Sequence, residues 1–275
     1  MAITAQDIKK LRDATGVGML DARQALTDAG GDFEQAVELL RIAGAAKAAK
    51  RSDREVGNGL VAAEGHSLIQ LGAETDFVAK NQEFIDLAQA IVEAVDAAGC
   101  TTLEQANHVT LSTGRTVAEA IQDMSAKMGE KMELVNVAHF TGDTHVYLHR
   151  RSKDLPPQVG VIVEYTGAKD DVAHHVALQI AHSNPVYLSQ ADVPEDVVAH
   201  EKRLAEAIAR EEGKPEKAIP RIVEGRVSGF YKDVCLLDQE PIAQEAATVG
   251  AFLNQHGVEI TSFARFSAGP DPARR

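Results

Sequence analysis

His174, His175 and His182 fall within one short stretch of the chain, and imidazoles at that density could hold a zinc ion or shuttle a proton. Their spacing argues against a metal. His174 and His175 lie about 100° apart around a helix, and the position that would share a face with His175, four residues on, is Gln179. A structural or partner-contact role is favoured. Met19, Met124 and Met128 sit at helical spacing and read as core or contact residues, not as a cofactor site. Cys100 and Cys235 are too few and too far apart for a disulfide framework or a zinc knuckle. Two isolated thiols suit a reducing compartment and read as inert packing residues. The chain holds no GxxxxGK[ST] phosphate loop, no GxSxG elbow and no HExxH zinc pair. No catalytic residue, metal or cofactor is therefore assigned.

One segment is distinct: Glu74-Thr75-Asp76-Phe77-Val78-Ala79-Lys80-Asn81 joins an apolar strand to a long helix. An aromatic beside a carboxylate at such a junction is either buried or offered to a partner, and pattern alone favours burial of Phe77. Asp76 can act simply as the cap of the helix that follows.

The elements around these residues follow from periodicity. Residues 1–44 read as three short helices. Thr4 caps the first and Thr15-Gly16-Val17-Gly18 ends it. The second runs from Met19 to Ala29, and the third from Asp32 with its capping-box-like Gln35 to Gly44. Ala45–Arg51, rich in helix formers and positive charge, reads as a linker that can be helical. From Gly57 the period changes: residues 59–63 and 67–71 flank Glu64-Gly65-His66 as a hairpin. Phe84, Leu87, Ala88, Ile91, Val92 and Val95 then form one apolar helical face that Gly99 closes. A second helix over Val117–Met128 precedes a strand at Met132–Phe140. The grammar repeats, with strands at 144–150 and 158–165, helices at 170–182, 195–212 and 216–230, and a last strand at 258–266. Two similar α+β units with helices covering antiparallel sheets fit this order. Ser267–Arg275 reads as a disordered tail.

Composition is ordinary for a folded chain, with 44% hydrophobic and 25% charged residues in 275. A formal charge of −13 argues against general affinity for DNA or RNA, which requires basic side chains to displace counterions. Residues 1–55 hold nine basic and nine acidic side chains, so the whole excess falls in 56–275, with 19 basic against 32 acidic. A basic partner surface should therefore meet the later part. With 4% aromatics and no tryptophan, a stacking surface for RNA is not expected either, although Lys47–Arg54 could act as a basic arm. An RNA- or ribosome-associated binding protein using that arm is therefore a runner-up reading, and a histidine-dependent hydrolase or metalloenzyme stands below it. The amino terminus lacks signal-peptide order and no apolar run is long enough to span a membrane, so a cytoplasmic protein is expected.

The run Leu11-Arg12-Asp13-Ala14-Thr15-Gly16-Val17-Gly18-Met19-Leu20-Asp21-Ala22, followed by Ala25-Leu26, Gly31-Asp32 and Ala36, resembles the amino-terminal signature of the elongation factor Ts family. Thr75-Asp76-Phe77-Val78-Ala79-Lys80-Asn81 resembles that family's internal signature. Gly160-Val161-Ile162-Val163, Ser183-Asn184-Pro185 and Val223-Glu224-Gly225-Arg226 extend the likeness over nearly the whole chain.

The resemblance implies an α+β fold: a ubiquitin-associated-like helical domain with its linker at 1–54, then core subdomains at 55–140 and 141–275. It implies a guanine nucleotide exchange factor, without covalent chemistry, that binds elongation factor Tu carrying GDP and speeds GDP release. Thr75–Asn81 would disturb the magnesium and phosphate site, with Phe77 as a wedge. Arg12, Met19 and Leu20 in the helical domain, and His175 and Gln179 in the second subdomain, would supply further partner contacts. Two departures limit the carry-over. Gly129-Glu130-Lys131-Met132-Glu133-Leu134 differs from the commoner family form, and the long carboxy-terminal helix of some members is missing after Arg265-Phe266. No extended dimerising coiled coil is evident, which leaves oligomeric state open.

Overall fold

A computed structural model describes residues 3–49, 51–167, 170–242 and 246–270. Lys50 of the expected linker and residues 271–275 of the expected tail lie outside them. The described residues form two compact units. The first comprises the described residues within 3–139, 148–159 and 266–270, the second those within 140–147 and 160–265.

The first unit opens with α1 (Ala5–Thr15), α2 (Met19–Asp28) and α3 (Phe33–Ala49). A capping box between Thr4 and Asp7 starts α1, and Asp32 accepts from the Gln35 amide to start α3. Their small core gathers Leu11, Ala22, Ala25, Leu26, Ala29 and Ala36. Contrary to the expectation that Gly44 ends it, α3 continues through Gly44 to Ala49. A helix tolerates one interior glycine at about 1 kcal/mol, and here Gly44 faces Ala126, whose Cβ would lie 3.1 Å from any Cβ added at Gly44.

The hairpin follows as β1 (Asn58–Glu64) and β2 (Ser67–Ala73), in the register Glu64 to Ser67 and Leu60 to Leu71. Helices α4 (Asp76–Ala79), α5 (Gln82–Ala98), α6 (Leu103–His108) and α7 (Val117–Met128) precede β3 (Met132–His139), which pairs antiparallel with β2. Every residue of the central strand β2 is buried. The apolar stripe of α5 packs Phe84, Ala88, Ile91, Val92 and Val95 against Leu60, Ile69 and Leu71 of the sheet and Val117 and Ile121 of α7. That core fixes both ends of the segment bearing Phe77.

The second sheet has the order β4 (Asp143–His149), β5 (Val159–Thr166), β6 (Glu259–Ser267). Helix α8 (Asp170–Ser183) buries Val172, Val176 and Ile180 against β5, and α11 (Val249–His256) adds Val249, Phe252 and Leu253. The long helices α9 (Glu195–Glu211) and α10 (Ile219–Val234) lie between them in sequence. The architecture is α+β with two three-stranded antiparallel sheets. Apolar periodicity predicts neither α6 nor α11, which have six and eight residues, too short for an apolar period to show. The expected tail is also corrected at its start. Ser267 closes β6, and Ala268 is fully buried, its N–H donating to the Gln158 carbonyl at 2.7 Å.

Candidate partner-binding surfaces

The segment 74–81 is built as a turn gripped from both sides. Thr75, not Asp76, is the cap of α4, its hydroxyl accepting from the Val78 amide, and Asn81 caps α5 by accepting from Glu83. Glu130 takes hold of Thr75 twice: the amide donates to one carboxylate oxygen at 3.1 Å and the hydroxyl to the other at 2.7 Å. Glu74 returns the grip, accepting from the Lys131 amide at 2.5 Å and pairing with Arg54 at 3.1 Å. The Lys131 amide, then the Arg54 guanidinium, hold the Glu74 carboxyl below its usual range against the opposing effect of burial. A depressed carboxyl favours the folded form above its ordinary titration range, and that contribution fades as pH falls through the lowered value.

Within this frame the four residues of α4 divide by face. Val78 and Ala79 are core side chains, so these two of the expected contact residues anchor the turn and do not form its surface. Phe77, on the other face, is 79% exposed, against the pattern-based preference for burial. Asp76 pairs with Lys80 at 2.7 Å, which lowers its carboxyl below the usual range, and the Lys80 ammonium lies 5.8 Å from the centre of the Phe77 ring. The turn thus presents Asp76, Phe77 and Lys80. An aromatic ring left in water with its neighbours tied back is a ready apolar contact for another protein.

On the amino-terminal helices Leu20 is 82% exposed and Met19 47% exposed at the start of α2. Arg12 lies in the last turn of α1 beside them, pairing with Asp13 at 2.6 Å and approaching the Met19 sulfur at 3.8 Å. Three residues named from the resemblance therefore form one edge.

In the second unit, His175 and Gln179 lie one helical turn apart on α8 but differ in exposure. His175 is exposed, its Nδ1 donating to the Asp171 carbonyl at 2.7 Å. Gln179 is buried: its Nε2 donates to Gln239 at 3.1 Å and its Oε1 accepts from the Ile242 amide at 2.9 Å. Gln179 therefore holds Ile242, itself 55% exposed, at the rim of an apolar cleft of about 190 Å³ that His175, Leu178, Pro241 and Phe252 also line. Replacing Gln179 with alanine leaves the Ile242 amide and Gln239 without these partners, at a cost of about 1–3 kcal/mol. All four tyrosines, Tyr147, Tyr165, Tyr187 and Tyr231, belong to the second unit. Urea unfolding followed by tyrosine fluorescence should therefore show a lowered midpoint; an unchanged midpoint would refute this role.

Of the histidines flagged by sequence, His174 and His175 are drawn into hydrogen bonds. His145, which sequence reading did not single out, lies 2.7 Å from Asp170 through Nδ1 and 3.0 Å from His174 through Nε2. No group of three or more His, Cys, Asp or Glu side chains among the described residues could hold a metal ion. Cys100 and Cys235 are buried free thiols, and burial, with Asp238 and Asp192 adding to it, pushes Cys235 up to about 11. No helix among the described residues is long and apolar enough to cross a membrane.

Comparison with known proteins sets this α+β chain with its offered aromatic turn among translation elongation factors. The family model described as Elongation factor TS matches residues 74–270. Elongation factor Ts of Cutibacterium acnes is 60% identical over 269 residues, 98% of this chain and 100% of that protein. The Saccharopolyspora erythraea protein of the same name is 53% identical over 266 residues, covering 97% of this chain and 98% of its own length. That of Mycolicibacterium vanbaalenii is 54% identical with the same coverage. The chain belongs to the elongation factor Ts family.

Proposed function

We propose that this protein binds elongation factor Tu in its GDP-bound state and accelerates GDP release. It does so as a nucleotide exchange factor that makes and breaks no covalent bond, acting in the cytoplasm. A G protein grips GDP through phosphate-loop amides and a magnesium ion bridging protein and phosphate oxygens. Release is faster when a partner binds best to the state in which those contacts are broken. Phe77 inserts between two helices of the Tu nucleotide domain, and Asp76 disturbs the surroundings of the magnesium ion. The observation that carries this reading is the exposure of Phe77 on a turn that Glu130 holds at Thr75 and the core holds at Val78 and Ala79.

The wedge needs assistance. Burying one phenylalanine contributes about 1.5–3 kcal/mol, whereas a ten-thousandfold acceleration requires roughly 5.5 kcal/mol. The remainder comes from contacts at the cleft rimmed by His175 and Ile242 that form only in the nucleotide-releasing state, while the edge Arg12, Met19 and Leu20 supplies the binding energy that brings the factor onto Tu. In this reading 1–54 is a ubiquitin-associated-like docking domain, and 55–140 and 141–275 are the two core subdomains. Coupling is reciprocal, so a bound factor weakens nucleotide as much as nucleotide weakens the factor. GTP entry then expels it.

The test is direct. Tu loaded with a fluorescent GDP analogue is mixed with this protein, and the signal is followed after addition of excess unlabelled GDP. A decay that quickens with factor concentration and saturates is the expected result. A rate independent of this protein would refute the proposal.

A further inference from the structure

The amino-terminal helices are seated on α7 at two glycines. Gly16 stands in the left-handed region at φ 69°, and a Cβ added there would come within 2.6–2.7 Å of Cγ, Cδ and Cε of Lys127. The backbone at Gly16 therefore lies directly across the lysine's aliphatic stem. Gly44 meets Ala126, the neighbour of Lys127 on α7, in the same way. Arg41 pairs with Glu119 at 3.6 Å, and Arg51 donates to the Ser125 carbonyl at 3.3 Å. Lys127 then reaches past Gly16 to pair with Glu83, in the first turn of α5. Glu83 is the residue whose amide donates to Asn81, the cap that ends the Phe77 turn, and Asn81 in turn approaches the sulfur of Met128 at 3.9 Å. One side chain thus touches both the 16–18 loop that leads into Met19 and Leu20 and the helix that begins where the Phe77 turn stops.

We propose that Lys127 is a positioning residue for nucleotide exchange: its stem, lying beneath Gly16, holds the Met19–Leu20 edge in register with the Phe77 turn, so that a partner meets both as one preformed surface. This rests on the Tu-docking reading of those residues. The stem matters more than the charge, because an ion pair as exposed as Lys127–Glu83 contributes little. Binding two patches fixed on one body avoids the ordering cost that two loosely joined patches impose.

Full-length Lys127→Ala and Lys127→Met chains separate stem from charge, since methionine keeps an apolar stem of similar reach. With Tu and fluorescent GDP, Lys127→Ala is expected to raise the half-saturating factor concentration about three- to tenfold, the scale of one immobilised side chain. The maximal release rate should not change, because Phe77 is untouched. In the free protein, amide hydrogen exchange over residues 14–20 should quicken in Lys127→Ala. Lys127→Met should match wild type in both respects. The proposal is overturned if Lys127→Ala leaves amide exchange unchanged, if it lowers the maximal rate instead, or if Lys127→Met is equally impaired. Quickened exchange with an unchanged half-saturation also overturns it, and that pattern places the failure in the docking reading of Met19 and Leu20, not in the tie.

Discussion

Phe77→Ala is expected to cut the maximal rate of factor-stimulated GDP release about 10–150-fold, which is the 1.5–3 kcal/mol of one buried phenylalanine expressed as a rate. The loss should fall on the maximal rate and leave half-saturation comparatively unaffected, because an interaction made only in the nucleotide-releasing state lowers the barrier without tightening the first encounter. The free protein should melt as before. The ring is solvent-exposed, while the turn's attachments run through Glu130 to Thr75 and through Val78 and Ala79 in the core. Stopped-flow release at saturating factor, with a thermal melt of the free variant, reads both quantities. A maximal rate equal to wild type would remove the wedge from the mechanism, and a collapsed melt would mean that the ring has a structural role.

The exposure of Phe77 shows where sequence reading stops. The stripe Phe84, Ala88, Ile91, Val92 and Val95 was legible because a long helix repeats its apolar face often enough to declare it. The turn before it holds four residues, too few for a period, so composition alone put the aromatic inside. Only the family signature pointed outward. The caps are ambiguous in sequence for a related reason. Thr75, Asp76 and Asn81 are all capping types, and the choice among them depends on Glu130, which lies 55 positions further on and grips Thr75. That carboxylate sat in the stretch read as a departure from the family, and no local pattern connects it to the turn.

The same limit applies to Gln179. Its position one turn from His175 was readable, and its companionship with that residue on α8 is what the helix period predicts. Its burial was not, because the groups that consume its amide, Gln239 and the Ile242 N–H, come from a segment about 60 residues away. By contrast Arg12, Met19 and Leu20 are named by the resemblance alone, and they meet because a helix end, a glycine loop and a helix start are consecutive in the chain. Local geometry alone brings them together. What sequence could not supply there was Lys127 beneath the loop.

Met19→Ala with Leu20→Ala should produce the complementary defect to Phe77→Ala. Leu20 is 82% and Met19 47% exposed, so neither contributes much to the free fold, whereas full burial of each against a partner contributes about 1.5–3 kcal/mol. Partial burial of the pair is then expected to raise the half-saturating factor concentration about 30–100-fold, with the maximal release rate preserved, since these side chains contact the partner equally before and during nucleotide loss. Their loss is uniform binding energy and cannot be seen at saturation. Titrating the double variant against Tu with fluorescent GDP measures both quantities in one series, and adding Phe77→Ala completes a cycle. If edge and wedge act at different stages, their effects should add within about 0.5 kcal/mol. A double variant that loses maximal rate while keeping wild-type half-saturation would mean that this edge participates in nucleotide release itself, and the division of labour between docking and wedge would have to be abandoned.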